Sequence, residues 1–201
     1  MKLSNSTTNF EKAYQILKDG HPIIFPTDTV YGLGALPNEK SIKKIYELKQ
    51  RDAEKKIIAL VSGIDMIHQI ADDVDDVVVK KFMPGPLTIV FKAKNSMRDI
   101  VGDTIGVRIP NNELALELLK YVGGILMTTS ANISGEPPAT KLENISKNLL
   151  SNIKYTIVAD SPLSGVPSTI VSYIDKKYTL LRKGEIPFNE IINLGGPILE
   201  R

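Results

Sequence analysis

The stretch Pro22-Ile23-Ile24-Phe25-Pro26-Thr27-Asp28-Thr29-Val30-Tyr31-Gly32-Leu33-Gly34 decides how the rest of the chain is read. Two β-branched residues beside an aromatic, closed by Pro26, predict a buried strand. The next residues change character: three hydrogen-bonding side chains (Thr27, Asp28, Thr29), a tyrosine, then two glycines that let backbone approach a neighbour closely. A strand end feeding a polar loop is where open α/β sheets bind ligands, whereas a plain strand-to-helix connection has the same composition. The stretch alone leaves both readings open.

Outward from it, elements alternate. Thr8 and Glu11 suggest a capping box for a helix ending at Gly20, and Asn38 suggests the cap of a second helix running out near Lys49-Gln50-Arg51. Ile57-Ile58-Ala59-Leu60-Val61 carries no charge and predicts a central strand. Asp72, Asp73, Asp75 and Asp76 before Val77, with Lys80 and Lys81 after, match a short helix dipole better than a metal site. Pro84-Gly85-Pro86 turns into the strand from Leu87 to Phe91. Strands are also expected around Arg108, over residues 125–127, 155–158, 168–173 and 178–182, and a terminal helix over 187–194. The later strands are linked too briefly for parallel crossovers, so the sheet should be mixed. One α/β domain is expected across residues 1–201, its core about 7–194, with a short flexible tail.

Composition narrows the chemistry. Of 201 residues none is cysteine and only His21 and His68 are histidine, which excludes thiol catalysis, thiolate metal sites and a three-histidine zinc site. A net charge of +2 does not by itself mark a nucleic-acid binder. No apolar run is long enough to span a bilayer and no secretory core opens the chain, so a cytoplasmic protein without membrane attachment is expected.

Four polar clusters sit at element ends: the loop after Phe25; the basic stretch containing Lys49, Arg51, Lys55 and Lys56; Thr128-Thr129-Ser130-Ala131-Asn132; and the dispersed set Arg108, Ser168 and Arg182. Convergent cations and hydroxyls suit phosphate and carboxylate groups. Strand alternation alone turns Arg108, flanked by Val107 and Ile109, toward solvent more readily than into a cavity. Phosphate-loop, dinucleotide and Ser-His-Asp patterns are absent.

Seven motifs in order resemble the YrdC-type family of threonylcarbamoyl-AMP synthases: PTDTVYGLG at 26–34, Lys49-Gln50-Arg51, PGPLT at 84–88, Val107-Arg108-Ile109-Pro110, TTSANISG at 128–135, Ser168-Thr169-Ile170-Val171, and Arg182-x-Gly184. The resemblance implies a twisted mixed α/β sheet with flanking helices and a large concave cavity, as in YrdC and RibB. It implies synthesis of threonylcarbamoyl-AMP and pyrophosphate from L-threonine, bicarbonate and ATP, with Mg2+ carried by ATP. A separate transferase machinery would then modify a tRNA adenosine beside the anticodon. Carried over, Lys49, Arg51, Lys55, Thr104, Ser130, Asn132 and Arg182 would bind ATP, and Thr29, Tyr31, Arg108, Thr128 and Ser168 would surround threonine. Lys49 and Arg51 would stabilise charge, with no dedicated side-chain catalyst. Asp52 and Lys56 stand where the family often has proline. The chain resembles the short, single-domain form. The rival readings are a double-stranded RNA or tRNA-binding module without catalysis and a carbamoyl-adenylate-forming domain; weak tRNA contact is compatible with the main reading.

Overall fold

The computed structural model describes residues 9–50 and 56–195. Helix α1 (Phe10–Lys18) leads to strands β1 (Ile23–Pro26) and β2 (Tyr31–Ala35), then α2 (Glu39–Lys49) and β3 (Ile58–Val61). Next come α3 (Ile64–Ile70), β4 (Ala71–Asp72), α4 (Asp76–Phe82), β5 (Leu87–Ala93), α5 (Asn95–Val101) and β6 (Thr104–Arg108). The remainder is α6 (Glu113–Tyr121), β7 (Ile125–Ser130), a short 3-10 turn (Leu142–Asn144), α7 (Lys147–Ser151), β8 (Thr169–Ile174), β9 (Lys177–Arg182) and α8 (Phe188–Gly195). Among the described residues the strands form one nine-stranded sheet in the order β1-β2-β7-β3-β6-β5-β8-β9, with β4 paired to β5. Only β3–β6 and β5–β8 run parallel among the named pairs. The sheet is mixed, as expected.

Local chemistry accounts for most boundaries. The side chains of Asn38, Asp75 and Asn112 accept backbone N–H groups of the first turns of α2, α4 and α6, satisfying donors that a helix start otherwise leaves unpaired. Asp75 is therefore a cap, in keeping with the dipole reading of that acidic run. The cap of α1 differs from expectation. Asn9 accepts from Lys12 N at 2.8 Å, while Glu11 bonds Gln15 and Tyr121; Thr8 lies outside the described residues.

Three further expectations change. Residues 26–34 do not connect a strand to a helix: β1 and β2 are an antiparallel hairpin, Phe25 facing Gly32 and Pro26 facing Tyr31. Residues 155–158 make one parallel bridge, Ile24 with Thr156. Helices α3 and α5 were not expected; each is one short amphipathic segment beside a strand.

Register gives the sheet two unlike faces, because side chains alternate along each strand. On one face, Ile24, Leu33, Met127, Ala59, Val107, Ile89 and Val171 belong to the larger core. On the other face, Ile23, Phe25, Leu60 and Leu126 join Ala13, Leu17, Leu118 and Leu119 of α1 and α6 in a smaller core. The two helices reach β1, with α6 also on β3 and β7. The rest of that face is the floor of a cleft.

Candidate active site

The cleft has a volume of about 340 Å3 and is lined from β2, β3, β5, β6, β7, β8 and β9 and by the chain around 165–168. Its floor follows from register. Arg182 pairs with Ile170, Ile170 with Thr88, and Arg108 with Leu60. Because Ile89 opposes Val107, Thr88 falls beside Arg108. Five residues thus form a row across β9, β8, β5, β6 and β3, and all five line the cleft. Thr128 and Ser130 continue the face toward the hairpin.

The hairpin holds its polar residues in defined roles. Thr27 Oγ1 donates to Val30 O at 2.7 Å and lies within hydrogen-bond reach of the Thr29 and Val30 N–H groups. Thr27 therefore closes the turn. Gly32 and Gly34 serve packing rather than turning. A Cβ on Gly34 would lie 2.6 Å from the Phe25 ring and 3.1 Å from Thr128 Oγ1, and one on Gly32 would lie 3.0 Å from the Thr128 methyl. The Phe25 ring lies across β2 where side chains would otherwise stand.

Arg108 points into the cleft, against the solvent orientation that its flanking residues favour. It is 4% exposed. Nε donates to Gly85 O at 3.0 Å and one terminal nitrogen donates to Thr29 Oγ1 at 3.1 Å. The other terminal nitrogen lies 2.6 Å from Asp28 Oδ1. That contact is electrostatic: neither atom has an aligned hydrogen bond. A buried cation needs a counter-ion and acceptors. Asp28, Thr29 and Gly85 come from segments far from Arg108 in sequence.

Ser168 is the second junction. Its hydroxyl lies 3.0 Å from Thr88 Oγ1, and Arg182 donates to Ser168 Oγ at 3.0 Å and to Ser168 O at 2.8 Å. Burial first, and the positive charge of Arg108 second, hold Arg182 below the usual arginine range. The close passage of Gly184 makes this possible: a Cβ there would sit 2.3 Å from Ser168 C and Thr169 N.

Thr29, Tyr31, Arg108, Thr128, Ser130, Ser168 and Arg182 are thus brought together around the cleft. Tyr31 is anchored as well, its hydroxyl accepting Ala159 N–H at 2.9 Å. Thr128 Oγ1 donates to Leu126 O at 3.1 Å. Lys49 and Asn132 are placed differently. Lys49, 1% exposed, extends its ammonium to Ser130 O, to Asn132 O at 2.6 Å and to Asn132 Oδ1 at 3.0 Å. It positions the loop after β7 rather than lining the cleft. Asn132 Nδ2 in turn donates to Glu136 O at 2.5 Å. Thr104 accepts from Lys56 Nζ at 2.8 Å, and of these two Lys56 lines the cleft. Arg51 and Lys55 lie outside the described residues.

The sequence reading missed Thr88, Leu60 and Ile170 as lining residues, and placed Lys56 in the basic cluster without assigning it to the site. Alternation along Leu87–Ala93 put Thr88 on the face opposite Ile89, but which face is open depends on pairing. Among the described residues, no group of three or more His, Cys, Asp or Glu converges, and no Asp or Glu lines the cleft. Among them too, no helix is long and apolar enough to cross a membrane.

The fold and site define a mixed α/β protein with an open, cationic and hydroxyl-rich sheet face built for carboxylate and phosphate groups. A family profile described as Telomere recombination, the Sua5–YciO–YrdC family, matches residues 15–184, and the chain belongs to that family. A threonylcarbamoyl-AMP synthase of Bacillus subtilis is 34% identical, over 98% of this chain and 59% of its own length. Another, from Psychromonas ingrahamii, is 33% identical over 83% of this chain and 92% of its own. The crystal structure of Pyrococcus abyssi Sua5 complexed with L-threonine superposes with a TM-score of 0.85 at 32% identity, covering 92% of this chain and 56% of that one. The chain spans little more than half the length of the B. subtilis protein and of the P. abyssi synthase.

Proposed function

We propose that the chain is an L-threonylcarbamoyladenylate synthase, a nucleotidyltransferase making threonylcarbamoyl-AMP and pyrophosphate from L-threonine, bicarbonate and ATP. The observation that carries this reading is the row in which buried Arg108 and exposed Arg182 share one open sheet face. Arg108, with Thr29 beside it, offers a fork for the threonine carboxylate. Arg182 and Lys56, with Ser130 nearby, offer charge and hydroxyls for the triphosphate, joined by Arg51 and Lys55 on the strength of the family pattern. The relatives named threonylcarbamoyl-AMP synthase support the same assignment.

The chemistry follows from these groups. The neutral threonine amine adds to CO2 with loss of a proton to solvent, or to bicarbonate with loss of water; an oxygen of the resulting N-carboxylate then attacks the ATP α-phosphorus while the bond to pyrophosphate breaks. Negative charge grows on phosphate oxygens, where fixed cations act most strongly in a site that excludes water. Mg2+ would be held by triphosphate oxygens and water, because the described lining supplies hydroxyls and cations rather than carboxylates. When bound, it adds Lewis-acid stabilisation of that charge. The protein contributes mainly position and electrostatics. A transferase machinery would take the threonylcarbamoyl group to tRNA.

The test is pyrophosphate release from ATP with each co-substrate omitted in turn. Release should require both L-threonine and bicarbonate. Equal release without threonine would overturn the assignment.

A further inference from the structure

Among the described residues, Asp28 is an acid that touches this cationic face without lining it. Its side chain is 14% exposed against 5% for that of Arg108, and the charged atoms are 2.6 Å apart. Neither Asp28 Oδ1 nor the facing Arg108 nitrogen makes an aligned hydrogen bond, so the contact is an ion pair in which no N–H is aimed along the N···O line. Asp28 therefore supplies charge without an aligned hydrogen bond to Arg108. It is also held in place. Thr27 fixes the turn from within, Ser164 N–H approaches Asp28 O at 3.4 Å, and Gly165 N–H donates to Thr29 O at 2.8 Å. Arg108 is held from the opposite side by Gly85 O.

The charge matters because Arg108 and Arg182 share the same row and the lining has no acid among the described residues. Arg108 and Arg182 stand on one face with two strands between them, and burial first, with the like charge of Arg108 second, lowers the affinity of Arg182 for its proton. Without Asp28 the row would carry the two guanidinium charges of Arg108 and Arg182, separated by Thr88 and Ile170, with no carboxylate beside Arg108. Polyphosphate responds to summed charge, whereas a carboxylate is recognised by planar paired N–H groups. We infer that Asp28 is a specificity-determining positioning residue: it cancels the charge of Arg108 while leaving its donors available, so that the amino-acid half of the cleft takes a carboxylate and excludes polyphosphate.

This inference rests on the proposed function, in which Arg108 receives the threonine carboxylate. The experiment is calorimetric titration of L-threonine into the protein with and without inorganic pyrophosphate. In the wild type, pyrophosphate should change the threonine Kd less than about threefold, because the anions occupy separate halves. In Asp28→Asn, pyrophosphate should weaken threonine about tenfold or more, as expected when a like-charge barrier is removed. Asp28→Glu, which restores the charge, should return the wild-type pattern. The inference is overturned if Asp28→Asn shows no added competition. It is equally overturned if Asp28→Asn and Asp28→Glu both lose threonine without pyrophosphate, the pattern of a purely structural role. Should Asp28→Asn fail to fold, Asp28→Ser carries the same comparison. A wild-type protein that binds no threonine refutes the proposed function, and the inference with it.

Discussion

Replacing Arg108 by lysine separates the geometry of the guanidinium from its charge. Arg108 serves Gly85 O, Thr29 Oγ1 and Asp28 with three different nitrogens. A single ammonium on a shorter reach holds Asp28 or a ligand carboxylate, but does not reproduce the fork. Arg108→Lys therefore forfeits one charge-assisted hydrogen bond to the substrate, about 1.5–3 kcal/mol. That is roughly a ten- to hundredfold rise in threonine KM, since 1.4 kcal/mol is tenfold. Stability should fall by about 1 kcal/mol, the loss of the Gly85 or Thr29 bond, because Asp28 keeps a counter-ion. Arg108→Ala is the poorer probe. It leaves the partly buried Asp28 carboxylate without its counter-ion, at a cost of up to roughly 3 kcal/mol, and confounds folding with binding. The assay is pyrophosphate release at saturating ATP with threonine varied, and then the reverse, alongside thermal unfolding. The ATP KM should stay within about twofold. An unchanged threonine KM, or a rise confined to ATP, would refute the assignment of Arg108 to the carboxylate.

Arg51→Ala should show the opposite pattern, raising the ATP KM while leaving threonine within about twofold, in the same pair of titrations. Lys49→Met removes a buried ammonium shared by Ser130 O, Asn132 O and Asn132 Oδ1, so unfolding should occur at clearly lower temperature, with a loss of about 3 kcal/mol or more; a rise in ATP KM at unchanged melting temperature would give Lys49 a direct phosphate role instead. Gly184→Ala drives a Cβ into backbone at 2.3 Å, where no rotamer change relieves it; the expected cost is at the upper end of roughly 1–3 kcal/mol, read by denaturant unfolding, with threonine binding impaired through Ser168. Burial, reinforced by Asp75, raises the Tyr178 phenol well above its usual value. Its contribution is fully present below the unfolded tyrosine pKa near 10 and declines above it as the unfolded chain ionises. Tyr178→Phe should flatten the loss of melting temperature between about pH 10 and 11; an identical alkaline slope would count against that coupling.

The helix cap at Asn38, the acidic helix start before Val77 and the uncharged strand at Ile58–Val61 were legible because each depends on residues a few positions apart. The motif set also sufficed to gather Thr29, Tyr31, Arg108, Thr128, Ser168 and Arg182 as one candidate site. What local chemistry did not decide was orientation. Val107-Arg108-Ile109 reads the same whether its open face meets solvent or a cleft. The side is fixed by pairing of β6 with β3 and β5, and by α1 and α6 covering only part of that sheet face.

The opening hairpin marks the same boundary from the other side. Tyr31-Gly32-Leu33-Gly34 has little intrinsic strand preference, and its two glycines suggest a loop. It becomes a buried strand because the Phe25 ring and Thr128 occupy the space that side chains would need. Sequence alone determined the local elements and the chemical types available to the site. Tertiary structure decided which of them face one another: it turned Lys49 into a buried brace, gave Arg108 its carboxylate partner, and put Thr88 and Lys56 on the cleft. The reason is physical. Charge burial and strand register are set by partners distant in the chain, and those contacts exist only after the sheet has assembled.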